Sequence, residues 1–127
     1  MAEVSEELPP RPLLWVGSSK DDLKTFPLDV RREVGFALYL AQVGTKGVNV
    51  KPLRGFGGAS VLEVVERYDG NAYRAVYTVK FPDAVFVLHA FQKKSKKGIA
   101  TSPADIATVK KRLKVAEQTY EQLFGGS

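Results

Sequence analysis

Three β-rich segments follow one another in the second half of the chain, and they constrain the fold more than any other feature. The segments cover residues 61–67, 73–81 and 85–92. Asp69-Gly70 separates the first two segments and Pro82-Asp83 the last two, and both dipeptides are typical of tight turns. Strands joined by short turns pair antiparallel. The sequence therefore predicts an antiparallel meander.

Helical patterns lie before the meander. Ser18 or Ser19 can cap a short helix that ends near Phe26, and Pro27 then separates it from a second helix over residues 28–43. A short apolar run at residues 12–17 predicts a first strand, and residues 44–60, rich in glycine, are expected to form a loop.

The last helix has the clearest signals. Ser102 is the expected N-cap, Pro103 the first helical residue and Asp105 the acidic member of a capping box. An apolar stripe follows at three- and four-residue steps, namely Ile106, Val109, Leu113, Ala116 and Tyr120. The predicted order is β-α-α-β-β-β-α, an α+β fold with an antiparallel sheet, two N-terminal helices and one C-terminal helix. The residues expected to be buried include Trp15, Leu38, Tyr77, Val79, Val87, Leu113 and Tyr120.

Length and composition bound the organisation of the chain. With 127 residues, 44% of them hydrophobic, one domain is expected over residues 13–125, after a flexible leader at residues 1–12 that is rich in proline and glutamate. The absence of cysteine and the single histidine exclude a thiolate or imidazole metal site, and no cofactor is expected. No signal peptide or membrane-spanning run is recognised, so the expected location is the cytoplasm.

Positive charge is concentrated in one segment. Residues 91–116 hold eight basic residues and one acid, a local charge of +7, whereas the whole chain has +5 and the remainder therefore −2. Such a segment is expected to bind a polyanion, and the alternative is a solvated face that aids solubility. The proposed RNA-binding residues are Lys80, Lys96, Lys97, Lys110, Lys111 and Lys114.

Few residues can carry catalysis. His89 lies in an apolar strand, so it is either a core histidine or the general acid or base. Glu63 and Glu66 are three residues apart on one strand and must face opposite sides, which argues against a carboxylate pair. Arg74 alternates with the apolar residues of its strand, and its planar guanidinium suits a phosphate.

A cationic surface can cleave RNA without a metal ion. The ribose 2′-hydroxyl is an internal nucleophile, so a protein need only remove its proton, stabilise charge on the phosphate and protonate the 5′-oxygen. Crowded lysines disfavour one another's charged form, which lets one of them act as acid or base near neutral pH. The candidate catalytic residues are Arg74, Lys93, Lys94 and His89.

Four sequence blocks resemble the RelE/ParE toxin superfamily, in particular its phage-derived, HigB-like branch. They lie at residues 51–56, 62–66, 73–77 and 88–95 and read KPLRGF, LEVVE, YRAVY and LHAFQKKS. The resemblance extends from residue 15 to residue 124. It implies the toxin of a type II toxin–antitoxin pair, a ribosome-dependent endoribonuclease that cuts mRNA and is neutralised by a helix-turn-helix antitoxin.

The resemblance also implies roles for individual residues. Arg74 matches the arginine that contacts the scissile phosphate in RelE-like toxins, and Lys93 and Lys94 follow the strand where those toxins place further basic catalytic residues. RelE has paired lysines where this chain has Glu63, Val65 and Arg67, and its late catalytic tyrosine has no match here. HigB-type toxins use a histidine and an acid, which keeps His89 among the candidates.

Two other functions fit the same sequence. A non-catalytic RNA-binding module has a similar order of elements, since double-stranded RNA-binding domains combine a helix, three strands and a helix preceded by lysines. The ParE branch of the superfamily poisons DNA gyrase without cutting RNA. A DNA-damage response on expression would indicate the gyrase target, and translation arrest the ribosome.

Overall fold

A computed structural model of the chain describes residues 9–93 and 101–125. Its elements are β1 (Leu13–Trp15), α1 (Ser19–Lys24), α2 (Leu28–Gln42), β2 (Val50–Pro52), β3 (Val61–Tyr68), β4 (Asn71–Thr78), β5 (Val85–Lys93) and α3 (Pro103–Phe124). The predicted order is therefore confirmed, with one strand added. Most of the predicted leader, residues 1–8, lies outside the described residues.

Five strands form one sheet in the order β1-β5-β4-β3-β2. Strands β2 to β5 pair antiparallel, as predicted for the meander. Strand β1 is parallel to β5, with Leu14 opposite Phe86. A parallel pair needs a long crossover between its strands, and here the chain forms α1, α2 and three strands before β5 returns beside β1.

Strand β2 corrects the prediction of a continuous loop over residues 44–60. Its three residues pair with β3, and Lys51 lies opposite Glu63. The strand lies at the edge of the sheet, where a proline such as Pro52 is tolerated because one side of the strand makes no ladder bonds. A three-residue strand ending in proline has no alternating pattern that could be recognised in the sequence.

The turn between β3 and β4 has the predicted chemistry. Asp69 and Gly70 have φ angles of 52° and 80°, and Tyr68 pairs with Asn71 across the turn. Two consecutive positive φ values define a two-residue type I′ hairpin, for which Asp-Gly is a preferred sequence.

The sheet has an apolar core on each face. Helices α1 and α2 cover one face, whose buried residues include Leu38, Val64, Ala75, Tyr77 and Val87. Helix α3 covers part of the other face, whose buried residues include Val61, Val76, Phe86, Leu88, Val109 and Ala116. Leu38, Tyr77 and Val87 are buried as predicted, whereas Trp15, Val79, Leu113 and Tyr120 are partly buried against these cores.

Helix α3 begins at the predicted capping box. The Ser102 hydroxyl accepts a hydrogen bond from the Asp105 backbone N–H at 3.2 Å, and Pro103 is the first helical residue. The predicted apolar stripe faces the sheet through Val109 and Ala116. No helix in the described part of the chain combines the length and apolarity needed to cross a membrane.

The anchoring of α3 can be tested with two identical substitutions on one helix. Val109→Ala should lower the free energy of unfolding by about 2 kcal/mol, because it removes two buried methyl groups and leaves a cavity. Val115 is 42% exposed, so Val115→Ala should change stability by less than about 0.5 kcal/mol. Urea unfolding would measure both, and equal losses would contradict this packing.

Candidate active site

Polar side chains gather on the α3 side of the sheet, beyond the part that α3 covers. One row across the strands contains Lys51, Glu63, Val76 and His89. The next row contains Val65, Arg74 and Phe91, and a third contains Arg67, Ala72 and Lys93. Residues that pair directly across strands share a face of the sheet. Because Val76 belongs to the α3-side core, all three rows lie on that face.

A buried ion pair joins β3 to β4. Arg74 Nη1 donates to both carboxylate oxygens of Glu63 at 3.1 Å, and the side chains are only 4% and 2% exposed. The two residues are diagonal neighbours, a separation that long side chains can bridge. Arginine is suited to a buried pair because its guanidinium is always charged and weakly hydrated.

Thr101 connects this ion pair to the start of α3. Its hydroxyl donates a hydrogen bond to Glu63 and accepts one from Arg74 Nη1 at 3.3 Å. Three segments of the chain therefore meet at one carboxylate, because β3 supplies Glu63, β4 supplies Arg74 and the residue before the N-cap of α3 supplies Thr101.

A β-bulge in β5 directs the His89 side chain toward α3. Val76 pairs with His89 and the adjacent Tyr77 pairs with Val87, which leaves Leu88 as an extra residue in β5. Alternation along a regular strand would send Leu88 and His89 to opposite faces. Instead, Leu88 enters the α3-side core and His89 contacts Asp105 of α3, because the bulge places both on one face.

The imidazole of His89 is fixed at one nitrogen. Its Nε2 lies 2.9 Å from Asp105 Oδ1, and Ser102 Oγ donates to Asp105 Oδ2 at 2.8 Å. The ring stacks on Phe91 with centroids 4.6 Å apart. Within the described residues, Nδ1 is buried and has no hydrogen-bond partner. With Asp105 as acceptor, Nε2 carries the hydrogen, and the tautomer with its lone pair on Nδ1 is the one that fits this contact.

A cationic groove lies beside the ion pair. It has a volume of about 280 Å³ and is lined by Val48, Asn49, Val50, Lys51, Val65, Arg67 and Arg74. Lys51 and Arg67 were not predicted as site residues. Arg67 lies two positions after Val65 on β3, so strand alternation places it on the same face as Val65 and its partner Arg74, and this pattern could have identified it. Lys51 lies on β2, a strand that the sequence did not reveal.

The predicted basic residues fall into separate places. Lys93, at the end of β5, lies on the same sheet face as Arg74 and His89. Lys80 forms an ion pair with Glu117 near the other end of α3, about 18 Å from Asp105 at 1.5 Å per residue. Exposed positions on α3 hold Lys110, Lys111 and Lys114. The remaining predicted residues, Lys94, Lys96 and Lys97, lie outside the described residues.

Glu63 and Glu66 face opposite sides of the sheet, as the strand geometry predicts. Glu63 pairs with Arg74 on the α3 side. Glu66 accepts a hydrogen bond from Asn49 Nδ2, and burial together with the charge of Glu33 on α2 raises the pKa of its carboxyl. Across the described residues, no three histidine, aspartate or glutamate side chains are grouped to hold a metal ion.

Residues 21–114 match a protein-family model described as phage-derived protein Gp49-like (DUF891). The chain belongs to the Gp49-like family. The matched region contains α2, the whole sheet apart from β1, and the residues gathered around Arg74 and His89. A search of curated protein sequences found no significant match.

Solved structures of RelE toxins share the fold. A doubly substituted mutant of the E. coli toxin RelE in the free state aligns with a TM-score of 0.54 and 17% identity, over 84% of this chain and 98% of that one. The isolated E. coli RelE toxin aligns with a TM-score of 0.50 and 21% identity, over 80% and 97%. The RelBE2 toxin–antitoxin complex from Mycobacterium tuberculosis aligns with a TM-score of 0.42 and 19% identity, over 72% of this chain and 100% of that one. The two alignments with E. coli RelE confirm the RelE-like fold expected from the sequence.

The buried ion pair can be tested on one strand. Glu63→Ala should lower the free energy of unfolding by about 3 kcal/mol, because it removes the carboxylate facing a buried guanidinium. The same change at Glu66, which is only partly buried, should cost less than about 1 kcal/mol. Chemical denaturation of both variants provides the measurement, and equal stabilities would mean that Glu63 does not compensate Arg74.

Proposed function

We propose that the chain is the toxin of a type II toxin–antitoxin pair and that it inhibits translation by cutting mRNA on the ribosome. Its RelE-like fold and Gp49-like family support the toxin assignment. The observation that carries the nuclease proposal is the gathering of Arg74, Lys93 and the His89–Asp105 pair on one sheet face. The pairing of a histidine with an acid favours the HigB-like branch.

His89 is the proposed general base. Asp105 fixes the ring through Nε2, and the buried Nδ1 lacks a partner within the described residues. Leaving a buried polar atom without a hydrogen bond is costly, and a substrate hydroxyl is a donor that would satisfy it. A histidine held by a carboxylate at one nitrogen is suited to accept a proton at the other.

The proposed reaction needs no group beyond the RNA and the protein. Nδ1 of His89 removes the proton of the ribose 2′-hydroxyl, the 2′-oxygen bonds to phosphorus and the bond from phosphorus to the 5′-oxygen breaks. The products are a 2′,3′-cyclic phosphate and a 5′-hydroxyl, whose proton comes from a lysine. Lys93 and Lys94 are the proposed donors, and the Arg74 guanidinium is proposed to stabilise the phosphate charge.

The proposed partners follow from the same surface. An antitoxin, of the helix-turn-helix class by resemblance, would neutralise the chain by presenting acidic residues to Arg74, Lys93, Lys94, Lys96 and Lys97, where mRNA would otherwise bind. Lys80, Lys110, Lys111 and Lys114 are proposed to add long-range attraction for RNA. Lys80 adds least, because Glu117 neutralises part of its charge.

Expression of the chain without a partner tests the proposal. It should arrest translation and produce mRNA ends with 5′-hydroxyls, seen in vitro only when ribosomes are present. His89→Gln should reduce cleavage at least about 100-fold, because glutamine can donate to Asp105 but cannot take a proton. Lys111→Gln is the control and should stay within a few-fold of the unsubstituted chain. Primer extension maps the cuts, and circular dichroism verifies folding.

Other outcomes would identify other functions. Tight binding of duplex RNA without cleavage or growth arrest would indicate the RNA-binding module. A DNA-damage response with intact mRNA would indicate a gyrase poison. Full cleavage by a folded His89→Gln variant would remove His89 from the mechanism and leave the lysines as the base.

A further inference from the structure

We propose that Lys51 and Arg67, in the cationic groove beside Arg74, form a binding subsite for a phosphate of single-stranded RNA that flanks the one to be cut. This inference rests on the proposed function, because the RNA is the substrate named there. The groove runs along the β2 edge of the sheet. It is separate from the basic segment at residues 91–116 that the sequence singled out.

Within the described part of the chain, charge in the groove is positive after the two nearby carboxylates, Glu63 and Glu66, are counted. Glu63 lies opposite Lys51 in the pairing of β2 with β3, but its carboxylate binds Arg74 and Thr101. Glu66 faces the other side of the sheet. Among the described residues, neither Lys51 nor Arg67 forms an ion pair or a side-chain hydrogen bond. The charges of Lys51 and Arg67 are therefore not compensated by a partner among the described residues, and both lie next to the buried Arg74.

The groove and His89 must hold different phosphates. Lys51 and His89 lie in one row with two strands between them, and adjacent strands are about 4.8 Å apart. Their backbones are therefore separated by about 14 Å. A phosphate bound between Lys51 and Arg67 cannot be attacked at His89, so the groove holds a neighbouring position of the same strand.

The lining of the groove also suits a nucleotide better than a free anion. Val48 is fully exposed on its rim, and Val65 contributes further apolar surface. These side chains can contact a ribose or base while the cations bind the phosphate.

The test measures binding, independent of cleavage. The probe is a short single-stranded oligoribonucleotide with 2′-O-methyl riboses, which cannot be cut, and fluorescence anisotropy is recorded from low to moderate salt. For Lys51→Gln/Arg67→Gln, the slope of log affinity against log salt should fall by about 0.7, because the one phosphate contact that the two residues share is lost. Lys51→Arg/Arg67→Lys should restore it.

A charge-matched control variant distinguishes a specific phosphate subsite from general electrostatic attraction by the whole protein. Lys20→Gln/Lys24→Gln removes two exposed charges from α1, which packs on the opposite face of the sheet, and should leave the slope nearly unchanged. Equal losses in both pairs, or no loss in the groove pair, would overturn the subsite while leaving the proposed nuclease intact. Failure of the unsubstituted chain to bind the free RNA would also overturn the subsite, whereas failure of the proposed function would appear as absent cleavage with ribosomes present. Excess inorganic phosphate should compete only weakly, and strong competition would assign the groove to a free anion instead.

Discussion

The ion pair of Glu63 with Arg74 is the interaction on which the polar half of the sheet depends. A buried carboxylate and a buried guanidinium must each be compensated, since the cost of leaving either alone is several kcal/mol. A one-residue slip between β3 and β4 would move one of them to the opposite face, so the pair reinforces the register that the Asp69-Gly70 turn sets. The same carboxylate holds Thr101, and thereby the point at which the chain enters α3.

The position of α3 explains the contact between His89 and Asp105. Because Thr101 is held at the sheet, the following residues Ser102 and Asp105 lie beside β5, where the bulge has turned His89 toward them. Asp105 thus serves the helix and the site at once. Its backbone N–H is capped by Ser102, and its carboxylate fixes the imidazole.

Local signals in the sequence predict the fold better than the site. The capping box of α3, the Asp-Gly hairpin and the alternation of β4 each depend on residues close together in the chain, and each is found as predicted. The contacts of the site depend on register across strands. The contacts of Arg74 with Glu63 and of His89 with Asp105 can be recognised only when the residues that lie opposite one another are known. The bulge that turns His89 toward Asp105 has no recognisable signal in the apolar sequence of β5.

Arg74, which is paired with a carboxylate, and the cations without an ion pair among the described residues can have different roles. Glu63 neutralises much of the field that Arg74 offers, so in the proposed reaction Arg74 contributes a fixed geometry more than attraction. Attraction for RNA would then come from cations that form no ion pair among the described residues. In the proposed complex, Lys51 and Arg67 would provide it at the β2 edge, and the exposed lysines of α3 would provide it at longer range. In the proposed reaction, the charged residues on either side of a rigid, nearly neutral centre would bind the RNA strand, and Arg74 and His89 would position the phosphate to be cut.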